Sequence, residues 1–275
     1  MRIAAVQMVS STSFEHNLQR AEALVREAAA AGAKLVALPE NFAFMGRADT
    51  DKFEIAEAPG AGPAQRLMAG LAAELSVWLI AGSLPLRTGD PTRLTNSCLV
   101  YGPDGAPVAR YDKIHLFRYD EPGEGAPRRY DEGAVLVAGD APQSFLADDG
   151  ERQWRVGLSI CYDLRFPELY RALMHPPCEL IAVPSAFTYT TGRAHWELLL
   201  RARAVENQCY VIAPAQGGLH DNSRRTWGHT MIVDPWGEVL AQQPEQEGVV
   251  TAVLDPARLD EVRRRLPCLE HRRLR

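Results

Sequence analysis

Met1-Arg-Ile-Ala-Ala-Val-Gln-Met8, then Phe14-Glu-His-Asn-Leu-Gln-Arg-Ala-Glu-Ala-Leu-Val-Arg-Glu-Ala-Ala-Ala-Ala31, then Lys34-Leu-Val-Ala-Leu38 read as strand, helix and strand in turn. A second stretch of helical period, Ala64 to Glu74, leads to a strand at Trp78 to Gly82. A β-α-β-α-β opening of this kind predicts a layered α/β fold. Two hairpins interrupt the alternation. Ser97 to Arg110 turns on Pro-Asp-Gly, and Met231 to Ala241 turns on Asp-Pro-Trp-Gly. Their similarity suggests an internally repeated architecture. Each adds antiparallel strands, so the sheets are expected to be mixed, with helices on one face and a second sheet on the other.

The chain has 275 residues, of which 46% are hydrophobic, enough for one substantial core, and we read residues 1–275 as a single domain. Its net charge of −5 argues against nucleic acid as the main partner. The five cysteines, Cys98, Cys161, Cys178, Cys209 and Cys268, are odd in number, with no Cys-x-x-Cys pair, so neither a disulfide framework nor a zinc knuckle is expected. A reducing cytosol fits this usage. The apolar start is too short for a signal-peptide core, and no run reaches the length of a membrane span. Arg118 to Asp131 carries Pro122, Gly123, Gly125 and Pro127 and reads as a long functional loop. Arg258 to Pro267 reads as a short helix, and the basic tail from about 258 to 275 reads as a solvated charged face.

One cysteine stands out, in Trp154-Arg-Val-Gly-Leu-Ser-Ile-Cys-Tyr-Asp-Leu-Arg-Phe-Pro-Glu-Leu-Tyr-Arg171. A β-forming run leads into Cys161, and Leu164, Leu169 and Leu173 follow at helix-like spacing. The thiol is expected at a strand-to-helix corner, where a helix N-terminus favours thiolate. Elsewhere, Leu35-Val-Ala-Leu-Pro-Glu40 ends an apolar strand in a carboxylate fixed by Pro39, and Tyr111-Asp-Lys-Ile-His-Leu-Phe117 sets Lys113 among residues alternating toward a buried face. Each alone is ordinary. Together they supply a base, a cation and a nucleophile, the roles that acyl transfer at sulfur requires.

These blocks resemble those of the nitrilase, or carbon-nitrogen hydrolase, superfamily, as do Ala4-Ala-Val-Gln7, Asn96 and Asp234-Pro-Trp-Gly237; the likeness covers essentially the whole chain. It implies an α-β-β-α four-layer sandwich of mixed sheets, commonly paired as a homodimer or higher homo-oligomer. It also implies a Glu-Lys-Cys triad at Glu40, Lys113 and Cys161. A second glutamate near the lysine matches Glu132, with Asp131 beside it as the alternative. On this scheme Glu40 relays the proton, while Lys113 and the backbone N–H of Tyr162 stabilise the oxyanion; neither metal nor organic cofactor is needed.

Arg165, four residues past the nucleophile, is by itself equally a surface arginine. In carboxylate-handling members of the family an arginine at this offset meets the substrate's acid group, which points to an amide bearing a carboxylate. The block from Pro184 to Val211 is similar to that of amidases acting on deaminated glutathione and of ω-amidases acting on α-ketoglutaramate; Arg193 departs from the proline of animal members. Phe187 and Thr191 are candidate pocket-lining residues, whereas His195 and Trp196 read as structural. The resemblance thus implies a cofactor-free amidase releasing acid and ammonia from a keto-acid amide, deaminated glutathione first and α-ketoglutaramate second. A Cys-His enzyme and a non-catalytic α/β interaction module are the rivals.

Overall fold

The computed structural model describes residues 1–121 and 128–274. The strands in chain order are β1 (Arg2–Gln7), β2 (Leu35–Ala37), β3 (Trp78–Ile80), β4 (Leu84–Arg87), β5 (Leu94–Tyr101), β6 (Pro107–Asp112), β7 (Arg118–Glu121), β8 (Arg128–Asp131) and β9 (Gln143–Asp148). They continue with β10 (Gln153–Leu158), β11 (Leu180–Ala182), β12 (Tyr210–Ala213), β13 (Gly217–Leu219), β14 (Arg225–Trp227), β15 (Thr230–Val233), β16 (Val239–Gln243) and β17 (Gly248–Val253). The helices are α1 (Phe14–Ala30), α2 (Lys52–Ile55), α3 (Pro63–Leu75), α4 (Pro167–Ala172), α5 (Tyr189–Asn207) and α6 (Pro256–Arg265).

Two mixed sheets carry the fold. The first runs β17-β1-β2-β3-β5-β4, with β6 on the other edge of β5; the second runs β16-β15-β12-β11-β10-β9. In each, three parallel strands (β1-β2-β3 and β10-β11-β12) are flanked by antiparallel ones, so the repeat suggested by the two hairpins is present in the topology. The last strand, β17, returns to pair with β1 along its full length.

Side-chain alternation separates the layers. Ile3 and Ala5 of β1, Leu35 and Ala37 of β2, and Ile80 of β3 join a cluster with Trp154, Val156 and Leu158 of the second sheet. Their neighbours Ala4, Val6, Val36 and Leu79 face Leu24 and Val25 of α1 and Met68 and Leu71 of α3. Because a strand presents successive residues to opposite faces, a strand apolar throughout must be covered on both. Leu169 of α4 and Trp196 and Leu200 of α5 complete the second sheet's layers. The α-β-β-α sandwich is therefore what doubly apolar strands require.

Two local expectations change. No regular helix starts at Cys161: residues Cys161–Arg165 form a 3-10 turn, Phe166 is extended (φ −112°, ψ 92°), and α4 begins at Pro167. A residue before proline is pushed out of helical geometry, so Phe166-Pro167 breaks the run. Lys113 lies just beyond β6, at the exit of the strand. The ends of the expected Arg118–Asp131 loop pair as β7 and β8. Pro122, Gly123, Gly125 and Pro127 lie outside the described residues.

Candidate active site

Four chain segments converge at one end of the sandwich. Beyond β2, Leu38 N–H still donates to Ile80 C=O (3.0 Å), after which Pro39 turns the chain and Glu40 points inward, 2% exposed. This turn packs on Gly82 (φ +52°), where a Cβ would lie 2.0 Å from the Pro39 carbonyl oxygen; no other residue fits there. Beyond β6, Lys113 is held by its own N–H to Asn96 C=O and by Gly139 N–H to its carbonyl, both at 2.9 Å. Glu132 is fastened to Phe117 twice, through its backbone N–H to Phe117 C=O (2.9 Å) and through Oε2, which accepts from Phe117 N–H (2.7 Å).

Cys161 follows β10 in the left-handed region (φ +48°), with its N–H donated to Pro184 C=O at 2.9 Å. Such backbone costs a non-glycine residue about 1 kcal/mol and persists only where the surroundings hold it. Asp163, completely buried, does the holding. Its Oδ2 accepts from Ile160 N–H (2.9 Å) and Tyr111 O–H (2.7 Å), and its Oδ1 accepts from His115 N–H (3.0 Å) and lies 2.7 Å from His115 Nδ1. One carboxylate thus joins the Cys161 turn to both flanks of Lys113.

Lys113 Nζ sits between two acids, 2.9 Å from Glu40 Oε1 and 2.8 Å from Glu132 Oε2, and is 1% exposed. Asn96 Nδ2 also donates to Glu40 Oε1 (3.0 Å). Burial opposes the charge on Lys113, but Glu132 and Glu40 outweigh it and hold the ammonium well above the ordinary lysine range. For Cys161 the balance runs the other way. Burial and then the Glu40 charge push the thiol well above its ordinary range, and Lys113 offsets only part of this. The expected stabilised thiolate is therefore replaced by a neutral thiol hydrogen-bonded to the Glu40 carboxylate. A 3-10 turn of five residues lacks the aligned amides of a long helix, and the nearest anion repels a second one.

Glu40, Lys113, Glu132 and Cys161 line one pocket of about 700 Å³, measured with its open mouth, together with Tyr162, Arg165, Phe187 and Thr191. Asp131 instead meets Arg129 (3.2 Å), which leaves Glu132 as the acid at the lysine. Arg165 Nη1 lies 3.3 Å from His195 Nδ1, with its guanidinium 5.3 Å from the Phe187 ring centre. Thr191 shares a 2.8 Å hydrogen bond with Thr188, and Trp196, 1% exposed, donates from Nε1 to His229 C=O (2.8 Å). No histidine lines this pocket among the described residues, so the geometry gives a Cys-His pair no place. Nor do those residues contain a cluster of His, Cys, Asp or Glu able to hold a metal, or a helix long and apolar enough to cross a membrane.

Sequence reasoning missed Lys52, Asp49, Arg224 and Arg225, which also line the pocket. They lie in two short segments, 49–52 and 224–225, and nothing in their spacing ties them to Cys161.

The chain matches the carbon-nitrogen hydrolase family over residues 2–264. It is 44% identical over 271 residues to a deaminated glutathione amidase of Synechocystis, covering 98% of this chain and 97% of that one. It is 40% identical over 272 residues to an omega-amidase of Homo sapiens, covering 99% and 95%. A Saccharomyces cerevisiae member of branch 10 of the nitrilase superfamily superposes with a TM-score of 0.88 at 28% identity, covering 100% of this chain and 97% of that one. With the match spanning nearly every residue and the sandwich shared, the chain belongs to the carbon-nitrogen hydrolase family and is a hydrolase acting on amides.

Proposed function

We propose that this protein is a cofactor-free amidase that cleaves deaminated glutathione through a thioester on Cys161. The observation that carries the mechanism is the buried Glu40–Lys113 pair, 2.9 Å apart, in the pocket that Cys161 lines, where burial and Glu40 favour the neutral thiol. Asn96 and Lys113 both occupy Oε1 of Glu40, which leaves Oε2 to take the thiol proton. The sulfur attacks the amide carbonyl carbon, and the oxyanion is met by Lys113 and the Tyr162 N–H. Protonated Glu40 then gives its proton to the departing nitrogen as the C–N bond breaks. Water, deprotonated by Glu40, attacks the thioester; the C–S bond breaks, and Glu40 returns the proton to sulfur. Glu132 holds Lys113 in place.

The choice of amide rests on the 44% identity to the Synechocystis amidase and on a pocket lined by Lys52, Arg165, Arg224 and Arg225. In deaminated glutathione the acyl group is joined to cysteinylglycine, so the nitrogen product is that dipeptide, and the ammonia expected from the sequence applies only to α-ketoglutaramate. The latter remains the second reading because of the human omega-amidase. The two are separated by kcat/KM on each substrate, following cysteinylglycine and ammonia respectively. A higher value on α-ketoglutaramate rejects the first reading, and failure to trap an acyl-Cys161 species by mass spectrometry with either rejects the mechanism. Leu198, Val205 and Trp236, exposed on α5 and the adjacent β15–β16 turn, support pairing of two copies, which sedimentation tests.

A further inference from the structure

Arg165 and Arg224 line the same pocket from separate chain segments, the turn after β10 and the loop between β13 and β14. Arg165 is packed by Tyr162, Phe187 and His195. Arg224 projects from the loop between β13 and β14, and that loop is tied to the segment ahead of α2. Asn222 Nδ2 donates to Met45 C=O (2.8 Å) and Gly46 C=O (2.7 Å), while its Oδ1 accepts from Arg224 N–H (2.9 Å). The arginine backbone is therefore positioned and its guanidinium lies over the Tyr130 ring, 5.7 Å from the centroid, yet most of its N–H donors are unused. Nη2 reaches only the Arg47 carbonyl at 3.3 Å, and the buried Nε has no acceptor among the described residues. The nearby acid, Asp49, is already paired with Lys52 at 3.2 Å. A guanidinium with spare donors at the pocket, close enough to Asp49 to feel its charge but bonded to no carboxylate, is suited to a carboxylate brought by a ligand.

We infer that Arg224 binds a second substrate carboxylate, the glycine carboxylate of the leaving dipeptide, apart from the acid group of the acyl part. This rests on the deaminated-glutathione reading, because α-ketoglutaramate carries one carboxylate and deaminated glutathione two. A site lined by cations from two separate segments selects the longer dianion, and Arg224 is then a determinant of specificity and not of the chemical step.

The test compares three amides on the wild type, Arg224→Gln and Arg224→Lys: deaminated glutathione, its analogue with the glycine carboxylate capped as a neutral amide, and α-ketoglutaramate. In the wild type the free acid is expected to exceed the capped analogue by about tenfold in kcat/KM, mainly through KM. In Arg224→Gln that ratio falls toward one, with Arg224→Lys between. A preference that survives in Arg224→Gln, or is missing from the wild type, overturns the assignment of Arg224 while leaving the substrate reading intact. Turnover of α-ketoglutaramate with none of either glutathione derivative defeats both. Thermal melts of the variants check that each is folded, and a lower Arg224→Gln ratio at unchanged Tm supports the assignment.

Discussion

At the scale of single residues, the state of Cys161 decides the chemistry. Burial and Glu40 raise the pKa of its thiol, so on the proposed mechanism the carboxylate that makes the sulfur reluctant to ionise is also the group that takes its proton. Replacing Glu40 separates these effects. In Glu40→Gln the repelling charge is gone while Lys113 remains, and Cys161 becomes more acidic. Thiolate absorbance should then titrate at lower pH than in the wild type. Amide turnover should nevertheless fall by about 10³-fold, because no group relays the proton to the leaving nitrogen. A variant whose thiol is no more acidic, or that keeps turnover, contradicts this account.

At the scale of elements, the site depends on how strand exits are tied together. Asp163 links the turn after β10 to residues flanking Lys113 and touches no pocket atom itself. Asp163→Asn retains shape but exchanges two acceptor oxygens for one acceptor and one donor. At least one buried donor, Tyr111 O–H, Ile160 N–H or a His115 N–H, loses its partner, costing about 1–3 kcal/mol. Loosening the turn by fractions of an ångström is expected to lower kcat by about 10²-fold with little change in KM, read from steady-state kinetics beside a urea titration. A loss of stability with kcat unaltered limits Asp163 to a structural role.

Across the whole molecule, contacts between distant halves set the pH range of the fold. His220, 3% exposed, has Nδ1 2.7 Å from Ser10 C=O and Nε2 2.7 Å from Thr226 Oγ1. A carbonyl only accepts, so Nδ1 carries the proton, and neutral Nε2 accepts from Thr226. Burial first, with Arg224 adding, lowers the pKa of His220 below 6.5. The unfolded chain therefore binds a proton that the folded one refuses: the contribution is present above pH 6.5 and is lost as pH falls toward the folded value. Urea midpoints at pH 7.5 and 5.5 should differ less in His220→Gln than in the wild type. Equal differences would remove His220 from the pH response.

The sequence by itself determined the layers and the trio Glu40, Lys113 and Cys161 that shares the pocket. Strands apolar at every position demand cover on both faces, and Leu-Pro-Glu40, Asp-Lys113 and Ile-Cys161 each put a functional side chain just past a strand, where local turn chemistry aims it. The 3-10 turn after Cys161 was legible too, in Phe166-Pro167, but helical spacing of leucines masked it. Three things were decided only by the tertiary structure. The sulfur is a thiol and not a thiolate, Asp163 carries the turn, and Arg224 stands in the same pocket as Arg165. Protonation follows from the sum of burial and neighbouring charge, and pocket membership from which loops the two sheets bring to one end. Both are properties of distances between residues far apart in the chain, which spacing along it does not encode.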